Sequence, residues 1–255
     1  MAENNKDILS RAREEFEKII DENNLRGGPI RISFRTLTPR QAIGEPLRKD
    51  YPIIKGVEKV IEAVFDGAKA QVFTDSPADF TGTVDDIMNL KLDSNSNRAI
   101  FTAALNAVLA RLSLIENTIH CKDEEPERCA EKIAGHILEK YGRPIIGLIG
   151  LNPAILEKLV EVFGPGNIRA TDRSAENIGT DRFGLRIADG YSKTAALITQ
   201  SQLLLVTGTT IINGSLDEIA EEAKKQSKKY ILYGVSAAGV AHLLGLERLC
   251  FPGDG

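Results

Sequence analysis

The chain has 255 residues, 42% apolar and 27% charged, with a net charge of −4 at neutral pH. That is enough apolar material for a substantial core in one large or two smaller domains, and two are expected. Acids and bases are well mixed, so there is no broad positive field for a nucleic-acid backbone, and nucleic acid is not an expected partner. The longest apolar runs, PIIGLIGL and SQLLLVTG, fall far short of the roughly 20 residues that span a bilayer. The opening MAENNKDILS is polar and acidic and lacks the apolar segment of a secretory signal. A cytoplasmic protein with no membrane association is therefore expected. Cys121, Cys129 and Cys250 are too few and too scattered for a disulfide framework and read as free thiols.

Residues 7–22 carry Ile8, Leu9, Ala12, Phe16, Ile19 and Ile20 at helical spacing, which predicts an amphipathic helix ending at Gly27 and Gly28. Residues 29–34 alternate, with Ile30, Ile32 and Phe34 on one face, as in a half-buried strand. Within residues 56–75, Asp66-Gly67 between two apolar runs signals a β-hairpin rather than a helix. The runs VDDIMNL and NRAIFTAALNAVLARLSL predict two helices, the second rich in alanine and leucine. The polar stretch NTIHCKDEEPE then marks a boundary that divides the chain into residues 1–118 and 119–255. A further helix is expected from about Arg128 to Tyr141.

Beyond that point apolar strands and helices alternate: PIIGLIG, PAILEKLVEVF, NIRATD, SKTAALIT, QLLLVTG, LDEIAEEAKKQ, YILYGV, AAGVAHLL and ERLCF. Continuous apolar strands separated by helices imply a parallel sheet covered on both faces. The expected fold class is α/β, a doubly wound, Rossmann-like parallel sheet preceded by a smaller α+β domain. Ligands of such sheets lie at the carboxyl edge of the strands, so the strand exits are the candidate site.

At the first exit, Gly147 and Gly150 give a flexible turn, with Asn152 as N-cap and Pro153 at the first helical position. This is G-x-x-G, not the G-x-G-x-x-G of a dinucleotide fingerprint. Asp172 ends the second strand where an acid grips a ribose hydroxyl in nucleotide-binding sheets, although it can equally cap the turn that follows. The most informative exit is LLLVTGTTIINGSLDEI, where Thr207, Gly208, Thr209, Thr210 and Asn213 crowd one turn. Small and hydroxyl residues there let a ligand approach backbone and find donors. Ser215 with Glu218 reads as a capping box, and Asp217 with Glu218 in the first helical turn disfavours an anion. Gly234 and Ser236 repeat the signal more weakly. His120, Cys121, Cys129 and His136 are metal-ligand types. Cys129 and His136 are seven residues apart on one helix and do not share an ion, which leaves Cys121 or His120 to converge with Cys129. The competing reading is a solvated histidine and ordinary buried thiols, and Cys250 reads as core. No Walker A, G-x-S-x-G or H-E-x-x-H run occurs, and Lys193-Thr194 lacks the upstream glycines of a phosphate loop.

At VTGTTIINGSLDEI, with FTAALNAVLARL and NTIHCKDEEPERC, the chain resembles the bacterial and archaeal family named "putative heavy-metal chelation domain". The resemblance covers nearly the whole chain. It implies an enolase N-terminal-like first domain, a Rossmann-like second domain and a crevice between them. It also implies binding or processing of a metal-chelating small molecule. Similarity to enolase's first domain implies no enolase activity.

Three functions are therefore weighed. One is a protein holding a small polar molecule, a chelator, pterin-like or nucleotide-like, between the strand exits, with Asn106 contributing from the first domain. The second binds a divalent or heavy-metal ion directly through His120, Cys121 and Cys129. The third is a noncatalytic regulatory module, favoured by the lack of an evident nucleophile or base. No residue is assigned a catalytic role, and a homodimer is a base-rate expectation.

Overall fold

Helix α1 (Ile8–Glu22) opens the computed structural model, which describes residues 7–27 and 32–251. Asp7 caps it by accepting from the Ser10 amide at 2.7 Å, and Ile8, Leu9, Ala12, Phe16 and Ile20 form its buried stripe. The helix stops before the glycine pair. Asn24 takes φ 53°, and the amides of Asn24 and Leu25 bond back to the carbonyls of Asp21 and Ile20. This is a Schellman ending with asparagine in the left-handed position, so no glycine is required there. Gly28 and residues 29–31 of the expected strand lie outside the described residues. Strand β1 (Ile32–Leu37) keeps Ile32 and Phe34 buried as their alternation predicts, and continues to Leu37.

After α2 (Pro39–Ile43), the expected hairpin forms from β2 (Lys59–Phe65) and β3 (Ala68–Thr74). Asp66 and Gly67 both have positive φ, 46° and 83°, as a two-residue type I′ turn demands. The ladder ends at the Lys59–Thr74 pair, so Glu58 and Asp75 emerge together at its open end. With β4 (Thr81–Gly82) the antiparallel sheet has the order β3-β2-β1-β4.

Helix α3 (Val84–Met88) leads to α4 (Asn95–Arg111), in which eleven consecutive residues, Ala99 to Leu109, are buried. A helix apolar all round must be covered all round. β2 and β3 pack on it from the first half of the chain, and α8 and α10 from the second.

Helix α5 (Glu125–Tyr141) starts earlier than expected because Pro126, favourable in a first turn, lies inside it. There follow β5 (Ile146–Ile149), α6 (Pro153–Phe163), β6 (Ile168–Asp172), a small antiparallel pair β7 (Asp181–Arg182) and β8 (Leu185–Arg186), and β9 (Ala188–Asp189). The chain is completed by α7 (Thr194–Gln200), β10 (Leu203–Thr207), α8 (Thr209–Ile212), α9 (Leu216–Lys225), β11 (Lys229–Tyr233), α10 (Ala238–Leu243) and β12 (Arg248–Leu249). Six strands form an all-parallel sheet ordered β12-β11-β10-β5-β6-β9. Counted along the chain from β5, this is the 3-2-1-4-5-6 order of a doubly wound sheet, reversing between β5 and β10. No helix among the described residues is long and apolar enough to cross a membrane.

Each face of the parallel sheet has its own core. Leu204, Val206 and Leu232 face α4 and join the core that also holds Phe16, Ile32 and Val72 of the first half. Leu148, Leu205 and Ile231 face α5 and α6 and share theirs with Ile43, Tyr51 and Val60. Both cores therefore cross the boundary between residues 118 and 119. Truncating Leu105, fully buried on α4, is expected to cost about 2–5 kcal/mol. Chemical denaturation monitored by circular dichroism should show this loss in one transition shared by both halves.

Candidate functional site

The turn after β5 is built around Gly150, whose φ is 85° and whose place a Cβ would bring into collision with Thr207. Its amide bonds to the Thr171 carbonyl at 2.9 Å and its carbonyl accepts from the Tyr233 hydroxyl at 2.9 Å. The exits of β5, β6 and β11 are thus fastened at one point. Asn152 caps α6 as expected, accepting from the Ile155 amide at 3.1 Å. Gly208 has an ordinary φ, but a Cβ there would lie 2.7 Å from the Ala237 amide nitrogen, so the β10 and β11 exits also close tightly.

These exits border a cavity of about 660 Å³ at the reversal between β5 and β10. Gly150, Asn152 and Asp172 line it, as do Thr207 to Thr210, Asn213, Gly234 and Ser236. His120, Cys121 and Cys129 of the linker and α5 border the same space. The first half supplies the facing wall through Glu58, Phe73, Thr74 and Asp75.

Two expected residues lie elsewhere. Gly147 is a packing residue inside β5, where a Cβ would come within 2.5 Å of Leu197 and 2.6 Å of Ser201. Asn106 is 0% exposed. Its Oδ1 accepts from the Gly239 amide at 2.8 Å and its Nδ2 donates to the Val235 carbonyl at 3.3 Å. It therefore holds the turn after β11 from behind and does not reach the cavity.

Much of the polar rim is engaged within the protein. Asp172 Oδ2 accepts from the Leu151 amide at 2.7 Å, while Oδ1 accepts from the Ser174 amide at 2.8 Å and Asn177 Nδ2 at 3.1 Å. Its turn-building role accounts for every one of these bonds. Thr210 donates to the Thr207 carbonyl at 2.7 Å, and Thr209 donates to Thr207 Oγ1 at 3.2 Å. Residues 209–212 are a short helix rather than an open turn. The capping box does not form. Ser215 makes no side-chain cap, and both its amide and its hydroxyl donate to Asn213 Oδ1, at 3.0 and 2.6 Å. Ser236 Oγ accepts from the Phe73 amide at 3.1 Å and so ties β3 to the β11 exit.

At the linker wall, His120 Nδ1 lies 2.7 Å from the Cys121 carbonyl oxygen. A carbonyl can only accept, so Nδ1 carries the proton and Nε2 keeps its lone pair. Burial lowers the His120 pKa and favours the neutral ring. The Cys121 thiol hydrogen-bonds to Cys129, which raises the Cys121 pKa and lowers that of Cys129. Cys250, expected in the core, instead borders the cavity beside them, its thiol pushed up to about 11 by burial. His136 lies with Glu247, at 3.6 Å, and does not border the cavity. Among the described residues, no set of three or more His, Cys, Asp or Glu side chains is arranged to hold a metal ion.

Sequence reasoning missed Glu58. Burial, and then the charges of Asp172 and Asp75, push its carboxyl up to about 7. The only sequence signal was an acid adjoining an apolar strand, which ordinarily reads as solvated.

Residues 136–246 match the model of the DUF364 family, described as "Putative heavy-metal chelation". The resemblance to this family therefore holds over that segment. A crystal structure of a DUF364 protein of unknown function from Pyrococcus horikoshii is similar in fold. It is 15% identical, the match covers 90% of this chain and 80% of that one, and the TM-score is 0.52. A DUF364 protein from Desulfitobacterium hafniense DCB-2 also matches, 11% identical over 73% of this chain and 72% of that one, with a TM-score of 0.46. The comparison with curated proteins found no match.

Because the folded Glu58 carboxyl holds its proton up to about pH 7, the folded state binds more protons than the unfolded one from about pH 4.5 to 7, and stability falls as pH rises through that window. Glu58→Gln removes the ionisation. It is expected to stabilise the protein at pH 8 relative to pH 5 by about 1–3 kcal/mol, allowing for solvent in the open cavity. Denaturant titrations of both proteins at the two pH values check this, and an equal difference at both would contradict it.

Proposed function

We propose that this protein binds a small metal chelate, or a polar molecule that acquires a metal, in the cavity between its two halves. The observation carrying this reading is that the soft-donor residues His120, Cys121 and Cys129 border the same space as the strand-exit turns. Thiolate and neutral imidazole suit zinc and softer ions. The tethered Nδ1 proton of His120 fixes the tautomer in which Nε2 can coordinate. Two contacting thiols and one imidazole do not form a closed set among the described residues. An ion held here would keep positions for ligands that it brings with it, which favours a chelate over a bare ion.

The organic part of the ligand would rest on the β5 and β10 exits, which border the cavity through Gly150, Asn152, Thr207 and Thr209. Asn213 Nδ2, whose partner oxygen is already engaged, is a donor on that side. The family description supports a binding role for residues 136–246. The division into residues 1–118 and 119–255, with the first part enolase N-terminal-like, belongs to this reading as well. The antiparallel sheet followed by helices supports it.

Cadmium titration, followed by the ultraviolet thiolate-to-metal charge-transfer band, is expected to saturate at about one ion per chain. The double variant Cys121→Ser/Cys129→Ser should weaken binding by roughly tenfold or more. An unchanged isotherm in that variant would remove the linker from the site.

A further inference from the structure

We propose that the ligand of this cavity is a cation and that Glu58 is its counter-charge. The inference rests on the reading that the cavity is the binding site, and it specifies the charge class of what enters. Among the described residues, the charged side chains bordering the cavity are the acids Glu58, Asp75, Asp172, Glu218 and Glu222 and the base Arg173. Arg173 is stacked on Tyr191, 4.6 Å from the ring centre, at a residue 71% exposed at the mouth. Among the described residues no other cationic side chain borders the cavity, and a phosphate-bearing ligand would meet a predominance of negative charge there.

Three of the acids are already partnered. Asp172 accepts three N–H bonds, Asp75 accepts from Asn95 Nδ2 and Ser76, and Glu222 accepts from Gln226. Glu58 and Glu218 have no hydrogen-bond or ion-pair partner among the described residues. Glu218 is exposed on α9, whereas Glu58 is partly enclosed at the open end of the hairpin. The groups facing Glu58 are Asp75 at the end of β3, Asp172 at the end of β6 and Tyr233 at the end of β11. Two carry negative charge and the third is a neutral hydroxyl.

An enclosed carboxyl held against two like charges is unfavourable in the empty protein, and a cation beside it removes that cost. An independent sign of a missing partner borders the same cavity. Thr171 is 1% exposed, it borders the cavity, and its hydroxyl finds no hydrogen-bond partner. Buried hydroxyls are almost always bonded. A ligand carrying N–H or O–H groups and positive charge would supply both residues.

Calorimetric titration with hexaamminecobalt(III) and hexacyanocobaltate(III) tests the charge class, because these inert octahedral ions are alike in shape and opposite in charge. The trication is expected to bind at pH 8 and the trianion not to bind. Affinity for the trication should fall at least tenfold at pH 5.5 and at least tenfold in Glu58→Gln. It should change less than about twofold in Glu221→Gln, an exposed carboxylate outside the cavity. Absence of trication binding, equal binding of both ions, or unchanged binding in Glu58→Gln overturns the proposal. If Glu58→Gln fails to fold, carbon-13 NMR titration of Glu58 in the unaltered protein serves instead. The titration must move to lower pH in saturating trication, and no movement overturns the proposal. Neither cobalt complex exchanges ligands with thiols, so the trication can bind when the cadmium band fails, which sinks the soft-donor reading alone. A normal cadmium band without trication binding sinks this one alone.

Discussion

Everything else in the fold depends on α4 being buried around its whole circumference. One helix face would suffice to close either half by itself. Because α4 has no polar face, the antiparallel sheet must cover one side and α8 with α10 the other. Small residues at Ala99, Ala103, Ala104 and Ala107 let these layers approach, and Gly239 of α10 sits where a Cβ would collide with Leu105. Phe16 of α1 meets Phe101 edge to face, with ring centres 6.1 Å apart. The relation between the two sheets is thus set by close packing, which tolerates little displacement. The cavity inherits that rigidity, since one wall hangs from each sheet.

The cavity itself follows from strand order. Where succession reverses, the connections from β5 and β10 leave in opposite directions and open a space at their carboxyl ends. Polar residues then divide into those that shape the rim and those still available within it. Asp172, Thr210, Asn152 and Ser236 belong to the first group, for each satisfies backbone amides or carbonyls that no regular element reaches. Buried backbone groups must be paired, so a crevice made of strand exits requires such residues before any ligand is considered. Glu58, Thr171 and the linker imidazole belong to the second group.

This division explains what the sequence could convey. Long periodic segments such as residues 8–22 and the parallel strands were legible because burial imposes a period, and Asp66-Gly67 was legible because both positions need positive φ. The two-residue strands β7, β8 and β9 carry no period and were invisible. The hydroxyl-rich run after β10 marked the right place, yet its residue types suit internal turn bonds as well as ligand contacts, and only coordinates separate the two. Asn106 looked available on an apolar helix because sequence gives no sign that Gly239 and Val235 lie opposite it. Cys250 is separated from Cys121 and Cys129 by more than a hundred residues, and their proximity is a product of sheet order rather than spacing.

Glu58 is the position where local and global requirements disagree. A glutamate just before a strand is unremarkable by itself, and Asp75 and Asp172 each have a local turn to build. The shared cores bring all three to one enclosure, because the hairpin's open end is clamped over the β6 exit by contacts made far away around α4 and α5. Folding therefore stabilises an arrangement that electrostatics alone would disperse. The Glu58 carboxyl and the Thr171 hydroxyl, both without a partner among the described residues, border the same cavity. Chains tolerate such disagreement chiefly where something outside the chain resolves it. The shape of the disagreement, negative charge with an unpaired hydroxyl, defines the complement that would.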